Sequence, residues 1–137
     1  MSTVTRSELS EKNEYYVEKH RFLELKHFCL QYPIWKEAYC SLDGLSKRPT
    51  DLLIFSKTVE SPTEKCAIAK QYYLERMTMI ENACYQTDKE LCSYILHAVT
   101  EERSYESLLQ KYSIPCCREY YYKLYRKFFY ILSKLRE

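Results

Sequence analysis

A chain of 137 residues with a single glycine, Gly44, has few ways to turn sharply. Sandwiches and barrels need many tight turns and the residues that make them. Long helices joined by a few loops need almost none. Proline is equally sparse, at Pro33, Pro49, Pro62 and Pro115, and the 46% hydrophobic content is that of a chain able to pack a core. The fold class expected is all-α: an N-terminal helical hairpin, then a helical bundle ending in a helix-turn-helix with a long last helix.

No stretch approaches the roughly 20 apolar residues that span a bilayer, and MSTVTRSELSEKNEYY has no apolar run of the signal-peptide kind. Seven cysteines stand at 29, 40, 66, 84, 92, 116 and 117, an odd count without a C-x-x-C pair. Most lie among apolar neighbours, as reduced core thiols do. A cytoplasmic location follows as the expectation, with no membrane association.

Three segments are expected along the chain. Residues 1–44 form the hairpin, 45–61 a linker, and 62–137 the main helical domain. In the hairpin, Ser10 is expected to cap a helix that runs to Pro33, because proline disfavours helix in the residue before it. Pro33 then sits in the first turn of a shorter helix ending near Asp43 and Gly44. Phe22, Phe28, Leu30, Trp35, Ala38 and Leu42 are the candidate contacts between the two. Ser61-Pro62-Thr63-Glu64 has the form of a capping box, followed by an apolar stripe of Cys66, Ala69, Tyr73, Met77, Ile80 and Cys84. Thr87-Asp88-Lys89-Glu90 has the same form and opens a helix that buries Leu91, Tyr94, Ile95, Ala98 and Val99.

Charge is unevenly placed. The chain has a net charge of only +2, yet residues 111–137 hold Lys111, Arg118, Lys123, Arg126, Lys127, Lys134 and Arg136 against Glu119 and Glu137. A basic segment beside an acidic remainder attracts polyanions locally. In the same region Ser104 can cap a short helix, YESLLQKY. Ser113-Ile114-Pro115 interrupts it, and a longer helix runs from about Cys116 to Leu135. Tyr121, Leu124, Tyr125, Phe128, Ile131, Leu132 and Leu135 fall on one side of that last helix. Helix, tight turn with one inward apolar residue, and second helix make the helix-turn-helix pattern. Its DNA-facing side is then expected to include Cys117, Arg118, Tyr122, Lys123, Arg126 and Lys127. Arg118 is placed to read a base, since a guanidinium bonds guanine bidentately; Tyr122 and the other cations suit the phosphate backbone. The same basic face is also what a solvated helix end carries, since cations there complement the helix dipole.

SYESLLQKYSIPCCREYYYKLYRKFFYIL resembles the C-terminal segment of sigma-70 region-4-like regulators of bacteriophages and mobile elements, the ArpU/RinA type. Residues 87–135 carry the likeness: a short helix, an I-P turn and a Y-Y run followed by R-K and apolar residues. RFLELKHFCLQYPIWKEAY is similar to proteins of Gram-positive phage-like elements. The resemblance implies a non-catalytic regulator that binds promoter DNA, with Arg118, Lys123, Arg126 and Lys127 facing it. Duplex DNA is the expected partner, and the N-terminal hairpin is expected to supply either a homodimer contact or a contact with RNA polymerase or another protein, the sequence leaving the oligomeric state open. The alternative is a protein-interaction module without catalysis, such as a mobile-element inhibitor of a host protein; a helical RNA-binding protein is a third.

Enzyme signatures do not stand out. One glycine rules out a Gly-rich phosphate loop. His20, His27 and His97 are the only histidines; His27 and Cys29 diverge on a helix, and no second pair completes a zinc set. Glu8, Glu11, Glu14 and Glu18 are spaced as an exposed helix face paired with lysines. No cofactor and no metal are expected.

Overall fold

The computed structural model describes residues 13–46 and 62–137. Six helices account for most of them: α1 (Lys19–Leu30), α2 (Tyr32–Ser46), α3 (Pro62–Thr87), α4 (Cys92–Glu101), α5 (Tyr105–Tyr112) and α6 (Arg118–Leu135). No strand occurs among the described residues, so the chain is all-α. The linker expected over 45–61 lies outside them, apart from the last two residues of α2, as do Ser10 and the Ser61 cap.

The first helix starts later than its pattern suggests. The Asn13 side chain accepts from the Tyr15 N–H at 2.8 Å, and the Asn13 carbonyl accepts from Tyr16 at 3.1 Å. Asparagine thus offers the backbone a turn in place of the helix. Glu18 then caps α1, its carboxylate accepting from the His20 and Arg21 N–H groups at 2.9 and 3.1 Å. Glu18 is therefore a cap and not a rung of an exposed charge ladder. Pro33 stands in the first turn of α2, where its missing N–H costs no hydrogen bond.

The described residues form two compact units, 13–31 with 79–137 and 32–46 with 62–78. In the 32–78 unit Trp35, Cys66 and Met77 are buried. The Cys66 thiol donates to the Leu42 carbonyl at 3.3 Å, and the Lys70 ammonium lies 5.3 Å from the Tyr39 ring centre.

In the other unit α1 packs on α4 and α6, and α4, α5 and α6 pack on one another. Phe22, Leu25, Phe28 and Cys29 face inward from α1; Ile95, Ala98 and Val99 do so from α4. From α6 come Tyr121, Leu124, Tyr125, Phe128, Phe129 and Leu132. Phe129, outside the expected stripe, is the hub: its ring lies 4.9 Å from Phe22, 5.0 Å from Tyr125 and 4.9 Å from Phe128, all edge-on. A helix with neighbours on two flanks buries a wider arc than one stripe. Leu135, at the end of the expected stripe, is exposed. Each buried aromatic contributes about 1.5–3 kcal/mol through burial. Arg21 adds a polar tie: its Nε donates to Ser133 Oγ and Nη2 to the Ser133 carbonyl, both at 3.1 Å. That carbonyl is in the last turn of α6, where no intrahelical donor remains for it.

Three loop details depart from expectation. Thr87 does not cap α4: it is the last residue of α3, buried, with its hydroxyl donating to the Ala83 carbonyl at 2.7 Å. Asp88 instead accepts from the Glu90 and Leu91 N–H groups at 2.9 Å each, closing the turn that leads into α4, whose own N-cap, Leu91, has no side-chain capping bond. The last helix begins at Arg118, because Ser113 turns left-handed (φ 54°) and residues 114–117 complete the connection before the chain coils again. Ser104 does cap α5, accepting from Ser107 N–H at 3.2 Å, and Ile114 is buried as expected.

Candidate nucleic-acid interface

The basic residues of α6 divide into two environments. Cys117 is the exposed N-cap, in extended backbone, and its thiol makes no capping bond. Arg118 is paired with Glu106 of α5 and lies over the Tyr122 ring, 5.5 Å from its centre. Tyr122 is half-buried; its oxygen accepts from the Tyr105 N–H at 3.4 Å. Beside them the Tyr120 hydroxyl donates to Asp88 at 3.1 Å, and this bond with the nearby carboxylate raises the Tyr120 pKa. Glu119 is exposed in the same turn. The first turn of α6 is thus bordered by three carboxylates, Glu106, Asp88 and Glu119. The connection of residues 113–117 is also longer than the three- or four-residue turn of a simple helix-turn-helix.

One turn on, the surroundings change. Lys123, Arg126, Lys127, Tyr130 and Lys134 recur at i, i+3, i+4, i+7 and i+11, which on an α-helix is one face. It is the face opposite Tyr121, Phe128 and Leu132, all three of which are fully buried. Lys123 is exposed, and Arg126 and Lys127 are half-buried, as long stems are when they lie along the helix with the charge in water. Among the described residues no carboxylate comes within ion-pair distance of these three. Lys134 lies 3.8 Å from Glu137 and 5.3 Å from the Tyr130 ring centre. The expected site residues therefore do not form one surface. Lys123, Arg126 and Lys127 are together; Cys117, Arg118 and Tyr122 belong to the acidic-edged first turns against α5.

Comparison with protein-family models, with curated proteins and with solved structures returns no match. The reading of this surface rests on its own chemistry.

Two further features were not legible as sites in the sequence. At the end of α4 the His97 Nδ1 and Glu101 Oε2 are 2.7 Å apart, and Arg103 Nε donates to Glu101 Oε1 at 2.5 Å. His97 stacks on Tyr112 at 4.3 Å, and Arg103 reaches Ser107 Oγ at 2.9 Å. Burial pushes the Glu101 carboxyl upward, but hydrogen bonds from Arg103 and His97 outweigh it and hold the pKa below its ordinary value. The i, i+4 spacing of His97 and Glu101 was visible; the return of Arg103 and Tyr112 depends on the turn between α4 and α5. The second feature is a cleft of about 160 Å³ among α1, α4 and α6, with Tyr121 in its wall. The Tyr121 hydroxyl is buried and has no hydrogen-bond partner, a state that costs on the order of 1–3 kcal/mol. Among the described residues no three of His, Cys, Asp and Glu converge as metal ligands, and no helix is long and apolar enough to cross a membrane.

Proposed function

We propose that this protein is a non-catalytic regulator that binds duplex DNA through the outer face of α6. The observation that carries the reading is the row Lys123, Arg126 and Lys127, three cations on one helix face without carboxylate partners among the described residues. Unpaired cations at helical spacing suit the phosphate backbone, where binding releases condensed counterions. Cation pairs already satisfied by protein carboxylates gain less from a phosphate. Arg118 is in that position, so its base-reading role requires release from Glu106. The likeness of 87–135 to sigma-70 region-4-like phage regulators agrees with DNA as the partner, and RNA polymerase is then the second.

A mobility shift on random duplex DNA at 50 and 200 mM salt tests this. Three phosphate contacts give a log–log salt slope of about −2.7, which is about a 40-fold loss over that range. The triple variant Lys123→Ala, Arg126→Ala, Lys127→Ala is expected to lose this binding while keeping its helical circular dichroism. No retardation at 50 mM, or an unchanged slope in the triple variant, would remove the DNA reading. A protein-interaction role is favoured instead by one observation, the exposure of Ile34, Ile68, Tyr72 and Leu74 in the 32–78 unit. Sedimentation of the chain alone distinguishes a homodimer, which predicts paired half-sites about one helical turn apart.

A further inference from the structure

Resting on the reading of α6 as a DNA-binding helix, we infer that its outer face grips only the sugar–phosphate backbone and so takes duplex DNA of any sequence. The side chains that α6 lacks are the first ground. Adenine is read by the bidentate amide of asparagine or glutamine, and serine or threonine serves for several bases. The helix REYYYKLYRKFFYILSKL holds no asparagine, glutamine or threonine. Its single serine, Ser133, is occupied: Oγ and carbonyl both accept from Arg21. Arginine and lysine remain, and since these bond guanine as well as phosphate, their position on the helix decides between the two.

A helix that enters the major groove meets base edges with its N-terminal residues. In α6 that end is committed elsewhere or carries the wrong sign. Arg118 is paired with Glu106 and lies over the Tyr122 ring, the Tyr120 hydroxyl donates to Asp88, and Glu119 is exposed. Glu106, Asp88 and Glu119 outnumber Arg118 around that turn, so the phosphates that flank the groove repel it. The unpaired cations lie further along. From Lys123 to Lys134 the row runs about 16 Å, eleven residues at about 1.5 Å each. It therefore lies beside several successive phosphates, which rise by about 3.4 Å per strand. Contacts to phosphate oxygens hold a protein on the duplex and carry no sequence information directly. Choice of a particular promoter then falls to the second partner and not to α6.

The probes are A·T-rich, G·C-rich and mixed duplexes of equal length, titrated with the full chain at low salt, together with selection of binders from a randomised duplex pool. The Kd values are expected to agree within about five-fold, the loss that the mildest mismatch causes in a protein that reads bases. No motif is expected to be enriched from the pool. Lys123→Ala and Lys127→Ala are expected to weaken every duplex by the same factor, each with a salt slope shallower by about 0.9. Arg118→Ala is expected to leave the ranking of the duplexes unchanged. An enriched motif, or a wider spread of Kd, overturns the backbone-only grip and leaves the DNA reading standing. Even binding that survives the triple variant Lys123→Ala, Arg126→Ala, Lys127→Ala places the contact outside this face and overturns it too. Failure to bind any of the duplexes removes the DNA reading itself, and the backbone grip with it.

Discussion

Two residues end helices in a conformation that side chains resist. Glu102 and Ser113 both have φ 54°, ψ 50°, and both close a helix C-terminus. After α4 the Arg103 N–H reaches back to the Ala98 carbonyl at 3.0 Å, and after α5 the Ser113 N–H bonds Leu109 at 3.1 Å. Glycine is the usual residue for such caps. A chain with one glycine has used glutamate and serine, and each carries a left-handed penalty of about 1–2 kcal/mol. Ser113→Gly is therefore expected to raise the unfolding free energy by about 0.5–1 kcal/mol, part of the gain being returned as unfolded-state entropy. Ser113→Val should lower it, since a β-branched residue tolerates this region worst. Urea denaturation of both variants checks the pair; a loss on Ser113→Gly would mean the serine side chain has a role the backbone does not reveal.

The cysteines divide at the same scale. Cys29 and Cys84 are buried, and burial pushes both thiols far above their ordinary pKa, with Cys29 and Cys92 adding to it at Cys84. Cys40 and Cys117 are exposed. A thiol reacts as its thiolate and only when reached. In native protein at pH 8, mass spectrometry after iodoacetamide should find Cys40 and Cys117 modified first, and Cys29, Cys66 and Cys84 only after unfolding. Early modification of Cys29 would contradict its place in the core.

At the scale of elements, much of the helical map is legible and the reason is local. Pro33, Pro62 and Ser104 act on their own turn of backbone, and α2, α3 and α5 start where those residues set them. The start of α1, the turn into α4 and the width of the buried face of α6 are less legible. Asn13 and Asp88 compete through side-chain bonds that a pattern of apolar positions does not register. Phe129 is buried only because α1 lies along that flank, and no local rule brings residue 22 to residue 129. The expected site was read in the same local way. It joined Cys117, Arg118 and Tyr122 to Lys123, Arg126 and Lys127 as one outward face, and Glu106 and Asp88 then separated the first turn from the rest.

That separation gives the prediction that belongs to α6. Glu106→Gln removes the ion-pair partner of Arg118, and both side chains are more than half exposed, 56% and 52%. The pair is worth at most about 1 kcal/mol to stability, so folding should scarcely change. DNA affinity, by contrast, should rise by about two- to five-fold at 50 mM salt, with a slope steeper by about 0.9, if the freed guanidinium takes a phosphate. The same assay on Lys127→Ala should move affinity in the opposite direction and make the slope shallower by a similar amount. If Glu106→Gln leaves both affinity and slope alone, Arg118 stands apart from the interface and the contact surface is confined to Lys123, Arg126 and Lys127.

At the scale of the whole molecule, the response to acid depends on carboxylates that the fold has paired, and Glu101 is the described one held below its ordinary pKa. The folded protein keeps it ionised against Arg103 and His97, while the unfolded chain takes up a proton near the ordinary carboxyl value of 4.5. As the pH falls below about 4.5 the unfolded state binds that proton first, so the stabilisation present at neutral pH is lost progressively as the folded carboxylate is approached. The side chain is about a third exposed, at 34%, so screening limits the effect to about 0.5 kcal/mol. Glu101→Gln should therefore cost that amount at pH 7 and little at pH 3. The difference between parent and variant is the quantity to follow, because the remaining carboxylates titrate in both and cancel. Urea unfolding at pH 7, 5, 4 and 3 is expected to give two curves that converge as the pH falls. Parallel curves over that range would show that Glu101 stabilises the α4–α5 turn through hydrogen-bond shape that glutamine lacks, independent of its charge.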